Sequence, residues 1–192
     1  LAHGLRKDSG DIVAPKPEPD PDLPWFDGIK DNRRILTVFQ GKSVTSSSVW
    51  MRVVAGAIRE FTNLSRKLKF NVTLALASQT DQPEPEENHF GGADIWLEAR
   101  DQFEFPVSGQ KVVINLATEP LVRGHTQKLA WNFGKGAQVR KACILMKPDP
   151  QSDDFPRRVG DGVLMCWTVH EFIHAVGLSA HTRGAGEWYE AN

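Results

Sequence analysis

The sequence predicts an α/β fold (α+β in the wider sense) in which two helices pack against a mixed, twisted, five-stranded sheet. Three observations predict it. Apolar and β-branched runs of strand length recur along the chain. An amphipathic run with helical periodicity follows the first of them, and an almost wholly apolar helical run follows the last. The order strand, long helix, four strands, helix is typical of helices packed against a sheet, and the adjacent late strands can pair antiparallel.

Composition excludes several classes of function. Of the 192 residues, 40% are hydrophobic and 24% are charged, which is typical of a globular protein with a real core. The net charge is −1 and there is no long basic run, so we expect no nucleic-acid partner. The chain has no uninterrupted apolar stretch long enough to cross a bilayer, so we expect no membrane span. Nothing in the sequence indicates an oligomeric state.

The chain divides into an arm and a folded domain. Residues 1–24 are rich in Pro and Asp and cannot bury enough apolar surface to offset the entropy of ordering. We expect an extended arm or linker there, with a surface-bound pro-segment as the alternative. The folded domain is expected over residues 25–192. Its Cys143 and Cys166 lie in apolar runs, which favours buried free thiols and leaves a disulfide open.

The folded domain shows strand and helix patterns in a clear order. Five runs are rich in apolar and β-branched residues and are predicted strands: residues 34–40, 70–77, 94–99, 111–116 and 138–146. A long amphipathic helix is predicted between the first two strands, with the serines at 46–48 as N-cap candidates and Arg66 and Lys67 near its C-terminus. The polar segments 79–92 and 118–136 are predicted loops.

The last helix is predicted from about Asp161 to Gly177. Apolar side chains cover nearly its whole circumference, so we expect a buried helix; they are Val163, Leu164, Met165, Trp167, Val169, Phe172, Ile173 and Val176. Into this apolar helix the sequence places His170, Glu171 and His174. Burying such groups is costly unless they are paired or bind a metal, so these three residues are the candidate functional site.

The spacing of these residues predicts a zinc site. His170 and His174 are four residues apart, so on a helix both imidazoles project from one face, one turn apart. Two neutral ring nitrogens there can bind one Zn²⁺ at about 2.0–2.1 Å each. Glu171, beside the first histidine, can take a proton from a metal-bound water. This HExxH pattern predicts a zinc-dependent hydrolase with Glu171 as general base.

A glycine at the end of the helix points to a third ligand. Gly177 can adopt the left-handed conformation that ends a helix and turns the chain sharply. Such a turn lets a residue a few positions later return toward the metal. His181 is the expected third ligand, and Glu187 and Glu190 are the alternatives if His181 does not bind.

The segment HEFIHAVGLSAH, residues 170–181, resembles the metzincin signature HExxHxxGxxH, found in a clan of zinc endopeptidases that includes astacins, matrixins and snapalysins. The order of elements over residues 34–181 resembles the N-terminal subdomain of that clan, and GGADIWLEA, residues 91–99, resembles a matrixin third strand. The resemblance implies a zinc endopeptidase with Glu171 as general base and with zinc ligands His170, His174 and His181.

The sequence departs from the clan pattern in two places. His181 falls one residue later than the signature requires, and no methionine follows it, so the methionine turn of the clan is missing. Only residues 182–192 follow His181, so a short or truncated C-terminal subdomain is expected. The localisation that is usual for this clan leads us to expect a secreted or periplasmic protein. The chain also begins at Leu1 rather than Met, which favours the same expectation.

The resemblance also implies a mode of substrate binding. In metzincins the fourth strand is the antiparallel edge of the sheet, and the substrate pairs with it as an extended strand above the zinc. By order along the chain this strand is residues 111–116, with alternate side chains facing inward (Val112, Ile114, Leu116) and outward (Lys111, Val113, Asn115). We therefore expect a protein or peptide substrate to bind along Lys111, Val112, Val113, Ile114, Asn115, Leu116 and Ala117. The alternative is a zinc hydrolase of another amide or of small peptides, with Glu187 or Glu190 as third ligand.

Overall fold

A computed structural model gives the structure of the chain and describes residues 34–70, 72–78, 93–107, 110–118, 122–132, 137–150 and 158–177. The predicted arm at residues 1–24 and the ligand candidates His181, Glu187 and Glu190 lie outside these residues. The elements in chain order are β1 (Arg34–Gln40), α1 (Lys42–Thr45), α2 (Ser48–Leu68), β2 (Val72–Leu76), β3 (Ile95–Ala99), β4 (Gln102–Val107), β5 (Gln110–Asn115), β6 (Gly124–Asn132), β7 (Ala137–Met146) and α3 (Asp161–Ala175).

The main sheet has five strands in the order β2-β1-β3-β7-β6. The first four strands in this order run parallel to one another, and β6 pairs antiparallel with β7 at one edge. The predicted class, a mixed five-stranded sheet with helices packed against it, is confirmed at this level. The prediction of a loop over residues 118–136 is wrong, because nine residues in the middle of that segment, Gly124–Asn132, form β6. An edge strand has one strand neighbour and does not need the apolar run by which a central strand is recognised.

β4 and β5 form a separate two-stranded antiparallel sheet. The prediction that residues 111–116 are the fourth strand and the antiparallel edge of the main sheet is therefore wrong, and β6 has that position. The physical reason is that residues 102–107 form a strand that the sequence analysis did not recognise, and β5 pairs with this near neighbour. The predicted alternation within β5 is confirmed, since Ile114 is buried, Val112 is half-buried, and Lys111 and Val113 are exposed.

Two apolar clusters cover the two faces of the main sheet. Successive residues of a strand point to opposite faces, so Leu97 and Ile144 lie on one face while Trp96 and Leu145 lie on the other. The first face packs against α2 and α3. The second face packs against the β4–β5 hairpin, through a cluster that comprises Phe39, Ala93, Trp96, Phe103, Ile114, Leu116, Cys143 and Leu145.

Helix α2 begins and packs as its sequence predicts. The side chain of Ser47 is the N-cap and accepts a hydrogen bond from the backbone N–H of Trp50 at 3.3 Å. One face of α2 is buried, and its apolar members are Trp50, Val53, Val54, Ala57, Ile58 and Phe61. Gly56 permits a close approach of α3, because a Cβ added at Gly56 would lie 2.9 Å from Met165 Sδ. Among the described residues, no helix is long and apolar enough to cross a membrane.

Helix α3 is buried on one side. Phe172 and Ala175 are fully buried against the first cluster, whereas Val163 is 45% exposed. The prediction of a helix buried all round is therefore wrong for its N-terminal half, where apolar side chains reach solvent. Cys143 and Cys166 are both free thiols, but only Cys143 is buried; burial and the nearby charge of Glu98 raise the pKa of the Cys143 thiol.

Candidate metal centre

Helix α3 brings His170 and His174 together as the i, i+4 spacing predicts. Their Nε2 atoms are 3.1 Å apart, and their ring centroids are 4.6 Å apart with the ring planes at 89°. Both side chains are half-buried. The two nitrogens therefore converge on one point beside the helix.

This geometry fits a zinc ion. With Zn–N bonds of about 2.0–2.1 Å, two nitrogens of a tetrahedral site lie about 3.3 Å apart, close to the separation of the two Nε2 atoms. Both rings would carry their proton on Nδ1, which leaves each Nε2 lone pair for the metal. Within the described ranges, no group of three or more His, Cys, Asp or Glu residues could hold a metal. The structure thus supplies two nitrogen donors, and the predicted third ligand, His181, lies outside the described residues.

The chain after His174 ends the helix as predicted. Gly177 has a φ of 110°, in the region that favours glycine, and its N–H donates a hydrogen bond to the carbonyl of His174 at 2.9 Å. A residue with a side chain would be strained at this φ. Gly177 therefore ends the helix three residues after His174, and the predicted return of the chain to His181 lies outside the described residues.

Glu171 is a buried carboxylate beside the two histidines. Its exposed fraction is 3%, and the hydroxyl of Thr126 donates a hydrogen bond to its Oε2 at 2.6 Å. Burial raises the pKa of Glu171 to about 7, and the hydrogen bond from Thr126 opposes part of that shift. A carboxylate with a pKa near 7 suits a general base at neutral pH, because it can take up a proton and release it again.

Strand β6 lies directly against α3 at Glu171. A Cβ added at Gly124 would lie 2.9 Å from Glu171 Cγ and 3.0 Å from Glu171 Oε1. Next to it, the guanidinium of Arg123 lies 5.7 Å from the ring centroid of Trp167 on α3. Sequence analysis missed Gly124 and Thr126. The segment GHTQ, residues 124–127, lacks the alternation of apolar and polar residues by which a half-buried strand is recognised.

The predicted substrate-binding residues lie elsewhere. Ile114 and Leu116 are buried in the cluster on the sheet face opposite α3, and Lys111 forms an ion pair with Glu104 within the hairpin. Ala117 is exposed after the end of β5. The reason for expecting residues 111–117 in the cleft no longer holds, because the antiparallel edge strand of the main sheet is β6.

Comparison of the chain with protein families, with curated proteins and with solved structures found no match. The metzincin resemblance therefore depends on the sequence of residues 170–181 and of residues 91–99, since the order of elements along the chain includes two strands, β4 and β6, that were not predicted.

Proposed function

We propose that this chain is a zinc-dependent endopeptidase of metzincin type. The observation that carries the proposal is the convergence of the His170 and His174 Nε2 atoms, 3.1 Å apart, beside a buried Glu171 on the same helix. A purely structural zinc site is closed by protein ligands and needs no general base. A buried carboxylate next to a pair of converging imidazoles is instead what metal-assisted hydrolysis requires.

The residues have distinct roles in the proposed reaction. His170 and His174 hold the zinc, with His181 as the third ligand that the resemblance implies. When bound, zinc supplies a water of lowered pKa and polarises the carbonyl that is attacked. Glu171 accepts the proton of that water on its carboxylate and passes it to the leaving amine. Thr126 donates a hydrogen bond to Oε2 and so holds the carboxylate in place for this transfer.

The position of β6 supports a peptide as the substrate. In the described part of the chain, β6 pairs with β7 on one side and ends the sheet on the other. An edge strand offers backbone N–H and C=O groups that an extended peptide can satisfy whatever its side chains. The antiparallel edge strand beside the metal-binding helix is also the metzincin arrangement. We therefore propose that the peptide binds along β6 rather than along residues 111–117.

Replacing Glu171 by Gln tests the proposed function. The amide cannot accept the proton, so kcat for an unfolded protein substrate should fall by about 10²–10⁴-fold. Zinc affinity and melting temperature should stay close to those of the wild-type protein, because the amide has nearly the same shape. Glu60→Gln, an exposed residue of α2, is the matched control and should keep full activity.

Two results would contradict the proposal. Near wild-type turnover by the Glu171→Gln protein would remove Glu171 from its assigned role. Cleavage of dipeptides or simple amides, with none of the unfolded protein, would favour a zinc hydrolase of small substrates over an endopeptidase.

A further inference from the structure

We propose that Thr126 is a positioning residue for Glu171, and that through it strand β6 fixes the orientation of the general base. The role of Glu171 as a base rests on the proposed function, whereas the contact itself is a feature of the fold. The Thr126 hydroxyl lies 2.6 Å from Oε2 of Glu171 and 3.1 Å from the backbone oxygen of the same residue.

Burial makes this contact important. A carboxylate with 3% exposure has given up most of its hydration and needs hydrogen-bond donors from the protein. Among the described residues, the side-chain donor to Glu171 is Thr126. Its distance of 2.6 Å is in the range of strong O–H···O⁻ bonds. The hydroxyl also lies within hydrogen-bonding distance of the backbone carbonyl of Glu171. It therefore holds the end of the Glu171 side chain close to the backbone of the same residue.

A second buried carboxylate in this fold, that of Glu98, provides a comparison for the hydrogen bonds of Glu171. Glu98, 3% exposed, accepts a hydrogen bond from Trp96 Nε1 at 3.1 Å, lies 3.4 Å from the Arg100 guanidinium, and is also bonded by Ser43. Both of its oxygens have donors. At Glu171 the donor from β6 is on Oε2 alone. β6 therefore anchors one oxygen of Glu171, while the other, Oε1, lies next to Gly124.

The position of Thr126 follows from the pairing of β6. Gly124 pairs with Met146 and Thr126 pairs with Ile144, so both face α3 together with the helix-facing residues of β7. Gly124 leaves room for the Glu171 side chain and Thr126 holds its end. The stretch of β6 from Gly124 to Thr126 would thus hold the backbone of a paired peptide in a fixed position relative to Glu171.

The test compares one substitution of Thr126 that removes the hydroxyl group with another that keeps it. Thr126→Val keeps the shape and removes the donor, and Thr126→Ser keeps the donor. With an unfolded protein substrate, we expect Thr126→Val to lower kcat by about 10–100-fold with little change in KM or in zinc affinity. Thr126→Ser should retain most of the activity. Thr73→Val, at an exposed position of β2, is the matched control. Should Thr126→Val not fold, Thr126→Ala is measured in its place.

A double-mutant cycle on the metal-free protein tests the contact without activity. The unfolding free energy is measured for wild type, Thr126→Val, Glu171→Leu and the double variant, because the amide of a glutamine at position 171 could still accept the hydrogen bond. We expect a coupling of about threefold to tenfold in the unfolding equilibrium constant. Wild-type kcat in Thr126→Val, or no coupling in the cycle, overturns the positioning role. If instead the wild-type protein cleaves no peptide while the coupling is present, the proposed function fails and the contact stands.

Discussion

Gly124 sets how closely β6 can approach α3 at Glu171, the proposed general base. A methyl group added there would meet Glu171 Cγ at 2.9 Å and Met146 Sδ at 2.9 Å. Met146 is fully buried and its sulfur has little room to move. The side chain of Glu171 must therefore shift, or β6 must move away from α3.

The expected result of Gly124→Ala is a loss of kcat with zinc affinity retained, since His170 and His174 are on the helix and do not depend on β6. A modest fall in melting temperature should accompany it. Gly162→Ala is the matched control on α3, because nothing lies within 4 Å of the Cβ position there; it should be neutral or stabilising. Unchanged kcat in Gly124→Ala would show that Glu171 is not held by close packing of β6.

At this scale the sequence predicted some site residues and missed others. His170, Glu171 and His174 stand out because polar groups at helical spacing interrupt an apolar helix, and Gly177 stands out because it ends that helix. Thr126 carries no such local signal. Its contact with Glu171 joins residues 45 positions apart, so it depends on how β6 packs against α3 rather than on neighbouring residues.

Two strands that were not predicted led to the wrong position for the peptide-binding residues. β1 was predicted with its observed bounds, and β2, β3 and β7 were predicted with small differences at their ends. β4 and β6 were missed. Without β4, the strand at residues 110–115 had no local partner and was assigned to the main sheet. Without β6, the antiparallel edge was assigned to the wrong segment, and the predicted peptide-binding residues went with it.

Backbone hydrogen exchange distinguishes β6 from β5 as the peptide-binding strand. Zinc-loaded Glu171→Gln protein is saturated with an extended peptide that the wild-type protein cleaves. We expect amide exchange to slow in β6, because a peptide paired with this strand would cover it, and to stay unchanged in β5. The same peptide with N-methylated backbone amides is the control and should bind weakly. Protection confined to residues 110–115 would show that the peptide binds along β5 instead.

For the molecule as a whole, the sequence predicted the fold class but not the spatial order of its strands. Hydrophobic periodicity reports which segments are strands and which face of each is buried. It does not report which strands are neighbours, because pairing is decided by contacts between segments far apart in the chain. The parallel neighbours β3 and β7, for example, have three other elements of the chain between them.

The central claim is that the chain binds one zinc ion through His170 and His174, and zinc titration of the metal-free full chain tests it most directly. The account predicts one zinc per chain for wild type, loss of binding in His170→Ala and in His174→Ala, and sharply weakened binding in His181→Ala. His125→Ala, a half-buried histidine of β6, is the control and should bind zinc as wild type does. Wild-type affinity in His181→Ala alone would move the third ligand to Glu187 or Glu190. Wild-type affinity in His170→Ala and His174→Ala, or no zinc bound by the wild-type chain, would contradict the account.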